Sequence, residues 1–104
     1  MAKAPAPDMD DIMKALAHPV RREILAWLKT PEKIFVEQHY PFDNGVCAGK
    51  IFEKAGLSQS TVSAHLATLQ KAGLVTTRKV GQWIFYSRNE ALIVQFLKRM
   101  QNDL

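Results

Sequence analysis

The chain has 104 residues, 47% hydrophobic and 23% charged, a composition that supports one globular domain and excludes disorder. No apolar run approaches the roughly 20 residues needed to span a bilayer, and a lone cysteine, Cys47, excludes an internal disulfide and a cysteine-based structural zinc site. Net charge is +4 and unevenly spread: residues 1–45 hold six basic against seven acidic side chains (−1), residues 46–104 eight against three (+5), which suits a polyanionic partner on one face.

Residues 1–7 have one lysine and two prolines but no apolar stretch, so they are expected to form a flexible tail of a cytoplasmic protein rather than a secretory signal. The remainder, 8–104, is expected to be a single domain. A first helix is predicted from about Asp8 to Ala17, with Met9, Ile12, Met13 and Leu16 at helical spacing and Asp8, Asp10 and Asp11 complementing the dipole of its first turn. Pro19 stops it and opens a second helix to about Lys29, burying Val20, Ile24, Trp27 and Leu28; Thr30-Pro31 ends that one. Pro31 to Val46 is long for a helix–helix connection, with two prolines, a Phe42-Asp43-Asn44-Gly45 turn and an apolar-aromatic stretch from Ile34 to Tyr40. It reads either as a functional loop or, preferably, as a packed loop whose aromatics cover the core.

A third helix follows from about Ala48 to Ala55 and stops at Gly56. Ser58 is the natural N-cap of a fourth, which continues to about Ala72, buries Val62, Leu66 and Leu69, and closes at Gly73. Leu74–Val80 and Trp83–Ser87 read as two strands joined by a Gly81-Gln82 hairpin turn. Asn89 caps a last helix, about Glu90 to Asn102. The fold class is therefore mainly α with a small β-hairpin: four helices, a hairpin and a fifth helix, the layout of a winged helix-turn-helix.

With Val62, Leu66 and Leu69 inward, a step of about 100° per residue turns Ser60, Ala64, Ala67 and Lys71 of the fourth helix outward, with Ser63 and Thr68 beside them. Small side chains let a helix sit deep in a major groove, where hydroxyls and amides meet base edges or phosphates. Gln59, Ser60 and Thr61 occupy the first turn, which normally reaches bases first. The competing reading is an ordinary solvated face with few charges. Arg78 and Lys79 approach the Gly81 turn and Arg88 follows the second strand; cations on a wing contact phosphates, or else serve only to discourage edge-to-edge aggregation. On the last helix Leu92, Ile93, Phe96, Leu97, Met100 and Leu104 cover an arc of roughly 140°, wider than one core contact needs. A two-fold partner is the simplest use of the surplus; a wholly buried helix in a monomer is the alternative.

The stretch Leu57-Ser58-Gln59-Ser60-Thr61-Val62-Ser63-Ala64-His65-Leu66, followed by Leu69, Ala72-Gly73-Leu74-Val75 and Trp83–Tyr86, resembles the ArsR/SmtB family of repressors. Ala15-Leu16-Ala17-His18-Pro19-Val20-Arg21-Arg22-Glu23-Ile24-Leu25 resembles that family's opening, and the likeness spans about residues 12–100. It implies a homodimeric, sequence-specific repressor of double-stranded DNA, released from an inverted-repeat operator by an unidentified signal such as a small-molecule inducer. Carried over, it puts Gln59, Ser60, Thr61, Ser63 and His65 at the DNA, with His65 either a phosphate contact or a satisfied structural histidine. The same resemblance assigns the dimer to the first and last helices, here Met9, Ile12, Met13, Leu16, Ile93, Phe96, Leu97 and Met100.

Metal-sensing members place a Cys-x-Cys pair at the start of the third helix, or His/Asp pairs on the last. Cys47-Ala48-Gly49 keeps only the first cysteine, and the last helix has no histidine. A soft metal needs several convergent ligands; Cys47 with His39 and Glu37 is the one set on offer. Cys47 as a thiol switch needs an exposed thiolate, whereas the default for a lone cysteine is a small buried apolar side chain. No metal, cofactor or membrane partner is expected. No catalytic constellation or phosphate-cradling glycine loop is placed by any motif, so an enzyme is not expected. A winged helix used only for protein–protein contact is the remaining alternative.

Overall fold

The computed structural model describes residues 7–35, 38 and 40–104; most of the expected tail, and Glu37 and His39, lie outside them. Three helices open the chain: α1 (Met9–Leu16), α2 (Pro19–Lys29) and the single turn α3 (Pro31–Ile34). A 3₁₀ turn (Phe42–Asn44) leads into β1 (Val46–Cys47), then α4 (Ala48–Ala55), α5 (Gln59–Lys71), β2 (Val75–Val80), β3 (Trp83–Arg88) and α6 (Glu90–Asp103). Among the described residues no helix is long and apolar enough to cross a membrane.

The helix boundaries follow from local chemistry. The Asp8 carboxylate accepts the Asp11 N–H at 3.1 Å, the Ser58 hydroxyl accepts that of Thr61 at 3.2 Å, and the Asn89 amide oxygen accepts that of Leu92 at 3.2 Å. Each satisfies a donor that the first turn of a helix leaves without a partner. Asn89 also donates through its side chain to the Gly73 carbonyl at 3.0 Å, so one residue starts α6 and anchors it to the end of α5. At the head of α2, where Pro19 sits in the first turn, the cap is His18, whose Nδ1 accepts from the Val20 N–H at 3.2 Å.

The core is a single cluster in which Ile12, Ile24, Ile51, Val62, Leu69 and Leu74 are all buried. On α2 the buried residues are Ile24, Leu25 and Leu28; Val20 and Trp27 are half-buried at its edge. The wing carries one more strand than the expected hairpin. β1 pairs antiparallel with β3, placing Val46 opposite Tyr86 and Cys47 opposite Phe85, so the sheet runs β1-β3-β2. A two-residue strand shows no periodicity, and only its partner 40 residues away creates it.

The described residues of the 31–46 connection pack against the domain. Phe35 is buried and lies 6.4 Å from the half-buried Phe42, ring centre to ring centre, and Tyr40 stands edge-on to Phe85 at 5.5 Å. The Gln38 side chain stitches the loop to β1, donating to the Gly45 carbonyl at 2.8 Å and accepting from the Cys47 N–H at 2.9 Å.

Two residues expected at a dimer surface belong instead to the protomer's own interior. Ile12 is 0% exposed and Phe96 8%, so neither has surface to give a partner. The apolar positions left outside are Met13 on α1 (43%) and Val94 and Leu97 on α6 (50% and 58%). Met9, Leu16, Ile93 and Met100 are half-buried at the edge of the core.

Candidate nucleic-acid interface

Helices α4 and α5 are joined by Gly56-Leu57-Ser58, with Gly56 in the left-handed region that ends α4. Val62, Leu66 and Leu69 hold the inner side of α5 against the core. Its outer side presents Gln59, Ser60, Thr61, Ser63, Ala64, Ala67, Gln70 and Lys71, all exposed. Thirteen residues of surface helix thus carry a single lysine and no carboxylate. The hydroxyls at the leading end are organised: Ser58 donates to Thr61 Oγ1 at 2.7 Å and stands 3.3 Å from Ser60 Oγ. Thr68 is half-buried beside this surface, its hydroxyl donating to the Ala64 carbonyl at 3.1 Å.

The hairpin beside α5 carries Arg78 and Lys79, both exposed, opposite Phe85 and Ile84 respectively. Among the described residues neither forms an ion pair. Successive strand residues point to opposite faces, so the two cations leave the wing on opposite sides. Arg88 is not part of this group. It lies at the base of the hairpin, where its guanidinium grips Glu90 at 2.9 and 3.0 Å and reaches the Leu25 carbonyl at 3.4 Å.

His65 also departs from the outer surface. It is half-buried, with Nδ1 3.1 Å from Nη1 of Arg21 and its ring 4.4 Å from that of His18. Burial first, then the neighbouring His18 and the Arg21 guanidinium, lower its pKa from the usual 6.5. Nδ1 is thereby used inside the protomer, which fits the structural alternative for His65. Arg21 was not legible as its partner, since 44 residues separate the two and no spacing rule links them.

A family model described as "Bacterial regulatory protein, arsR family" matches residues 43–77, from the 3₁₀ turn through α4 and α5 into β2. The uncharacterized HTH-type transcriptional regulator YbzH of Bacillus subtilis is 37% identical over 94 residues, covering 85% of this chain and 93% of that protein. The chain belongs to the ArsR family. The HTH-type transcriptional regulator YgaV of Escherichia coli is 34% identical, over 86% of this chain and 81% of its own. The solved structure of HlyU from Vibrio cholerae superposes with a TM-score of 0.60 at 31% identity, covering 91% of each chain. This ArsR-family chain is thus a transcriptional regulator with a winged helix-turn-helix fold, not an enzyme.

In this ArsR-family protein Cys47 is half-buried rather than sealed in the core, with its backbone N–H on Gln38. It borders a cleft of about 320 Å³ also lined by Tyr40, Lys50, Trp83 and Phe85. Among the described residues no three His, Cys, Asp or Glu side chains cluster as a metal site; the expected companions His39 and Glu37 lie outside those residues. Cys47→Ser is expected to leave any DNA binding, and any release from DNA, unchanged, because Cys47 lies on β1 opposite Phe85 of β3 and not on α5. Band-shift titrations with and without peroxide, arsenite or zinc check this; loss of a release seen in the unsubstituted protein would make Cys47 the sensor.

Proposed function

We propose that residues 8–104 form a homodimeric repressor that binds double-stranded DNA sequence-specifically, with α5 in the major groove and the wing on the phosphates. One observation carries the reading: ahead of Lys71 in its last turn, α5 exposes an uncharged face of small, hydroxyl and amide side chains, beside two wing cations that form no ion pair among the described residues. Solvated helices normally carry charges on their free side. A face of Gln59, Ser60, Thr61 and Ser63 instead offers donors and acceptors to base edges while letting the backbone approach closely. One relative is the transcriptional repressor SdpR of Bacillus subtilis, 29% identical over 92% of this chain. Repression needs only occupancy of the promoter. The dimer reading draws on the exposed Met13 and Leu97, with the half-buried Met9, Leu16, Ile93 and Met100 beside them. It calls for an inverted-repeat operator with half-sites about 34–36 Å, or a multiple of that, apart. Release by a signal, a small-molecule inducer included, completes the cycle.

The test uses duplexes selected from a random pool. Arg78→Ala or Lys79→Ala removes a phosphate contact and is expected to weaken selected and random DNA alike, reducing the slope of log K against log salt by about 0.9. Gln59→Ala or Ser60→Ala is expected to cost about 1–3 kcal/mol on the selected duplex only, with the slope unchanged. Titrations of the four variants at several salt concentrations separate the roles. Wing variants that altered sequence preference, beside helix variants that altered only the slope, would reverse the assignment. A protein that shifted no duplex at any salt would be a protein–protein module.

A further inference from the structure

Arg21 leaves the first turn of α2 and turns away from its own helix. Its Nε donates to the Ala15 carbonyl at 2.7 Å and its Nη2 to the Lys14 carbonyl at 3.1 Å. Both carbonyls lie in the last turn of α1, where the Lys14 carbonyl also accepts the Ala17 N–H at 3.2 Å. Its Nη1 is 3.1 Å from Nδ1 of His65 on α5. A guanidinium has donors only, so Nδ1 is the acceptor and the neutral ring carries its proton on Nε2. Among the described residues this is the one side-chain hydrogen bond from α5 to another helix.

That geometry matters because the other grip on α5 is apolar. Burial of Val62, Leu66 and Leu69 holds the helix down but is non-directional, and it discriminates poorly between small rotations about the helix axis. A planar fork with three fixed donors is directional. We propose that Arg21 is the positioning residue of α5: through His65 it locks the rotation of that helix against α1, and so sets the sequence discrimination of DNA binding rather than its strength. The proposal rests on α5 as the DNA-reading helix.

The lock holds only while His65 is neutral. Protonation removes the Nδ1 acceptor and sets a second cation 3.1 Å from the Arg21 guanidinium. The groups that act electrostatically on His65 are Arg21 and His18, on and capping α2. Of the other packed elements, α1 carries Asp11 and Lys14 along a cleft it shares with Lys71 of α5. Helix α4 carries Lys50, Glu53 and Lys54, and β2 carries Arg78 and Lys79. Neither Asp11 nor Glu53 is hydrogen-bonded to His65 to offset the repulsion. Since the folded ring holds its proton less tightly than the free side chain, the contribution of the lock is in place above the usual 6.5 and is lost as pH falls through the lowered value of the folded ring.

The experiment compares the full chain with His65→Gln, whose amide oxygen accepts from Arg21 without titrating, and Arg21→Lys, which keeps the charge but not the fork. The first readout is the ratio of affinities for a pool-selected duplex and a random duplex of equal length, at pH 7.5 and at the lowest pH at which circular dichroism still shows the native fold. The unsubstituted protein is expected to lose about tenfold in this ratio on acidification, the worth of one well-placed base contact. His65→Gln is expected to hold its ratio constant, and Arg21→Lys to show the reduced ratio at both pH values with an unchanged salt slope. The second readout is amide hydrogen-exchange protection, which needs no DNA. In Arg21→Lys it is expected to fall along α5 around His65 and to persist at Leu25 in α2. An unchanged ratio in Arg21→Lys, equal pH dependence in His65→Gln and the parent, or protection lost equally from α2 and α5 would each overturn the proposal. If no duplex were preferred even by the parent protein, the DNA reading of α5 would fail, while the exchange measurement would still decide whether Arg21 locks that helix.

Discussion

Leu97→Asp is expected to yield a folded monomer with operator affinity reduced about a hundredfold or more. Leu97 is 58% exposed on α6, next to the exposed Val94 at 50%, so the substitution removes nothing from the protomer's core. In the proposed dimer it buries a carboxylate in an apolar contact without a partner, which costs several kcal/mol. Two half-sites held in one dimer gain about 10²–10⁴ over a single one through effective concentration, and a monomer forfeits that gain. Phe96→Asp serves as the contrast. At 8% exposure its ring is part of the core, so the chain is expected to unfold rather than dissociate. Sedimentation equilibrium with circular dichroism distinguishes the two. A Leu97→Asp protein that still sedimented as a dimer at full affinity would place the interface elsewhere.

Gly45→Ala is expected to lower stability by about 3 kcal/mol or more, and the melting temperature by roughly 12 °C or more. Gly45 leads into β1 with φ +108° and ψ −170°, a region essentially closed to residues with a Cβ. An added Cβ would lie 2.6 Å from Ser87 Oγ, 2.7 Å from the Tyr86 carbonyl oxygen and 3.0 Å from its carbon. The serine hydroxyl can rotate away, but the Tyr86 backbone is held in the sheet opposite Val46. For a domain with about 5–15 kcal/mol in all, this is a large share. Gly81→Ala at the wing turn is the control: its φ is +61° with no atom within 4 Å, so about 1–2 kcal/mol of backbone strain is the whole expected effect. Thermal unfolding of the two variants checks this, and a Gly45→Ala protein no weaker than Gly81→Ala would mean that β1 approaches β3 less closely than described.

Much of the framework was legible from residues alone. Pro19, Thr30-Pro31, Gly56, Ser58, Gly73 and Asn89 mark helix ends through chemistry confined to three or four neighbours. The inward set of α5 followed from its 3.6-residue period, and with it the outward set of Ser60, Ser63, Ala64 and Ala67. A cap or a stripe is readable because both partners lie within one or two turns of chain.

What the tertiary structure decided lies across longer separations. Val46 and Cys47, which carry no local strand signal, become a strand only by pairing with Tyr86 and Phe85 of β3. Arg88 left the wing because Glu90 and the Leu25 carbonyl meet at the hairpin's base. His65 sits at helical spacing between an inner and an outer face, and only the arrival of Arg21 and His18 from α2 turned it inward. The apolar arcs of α1 and α6 show the same division. Periodicity marked Ile12, Met13, Phe96 and Leu97 as apolar positions, but two surfaces compete for such side chains, the protomer's interior and its outside. The hydrophobic effect rewards either burial equally, so the choice between them falls to the packing of neighbouring helices, which placed Ile12 and Phe96 in the core and left Met13 and Leu97 exposed.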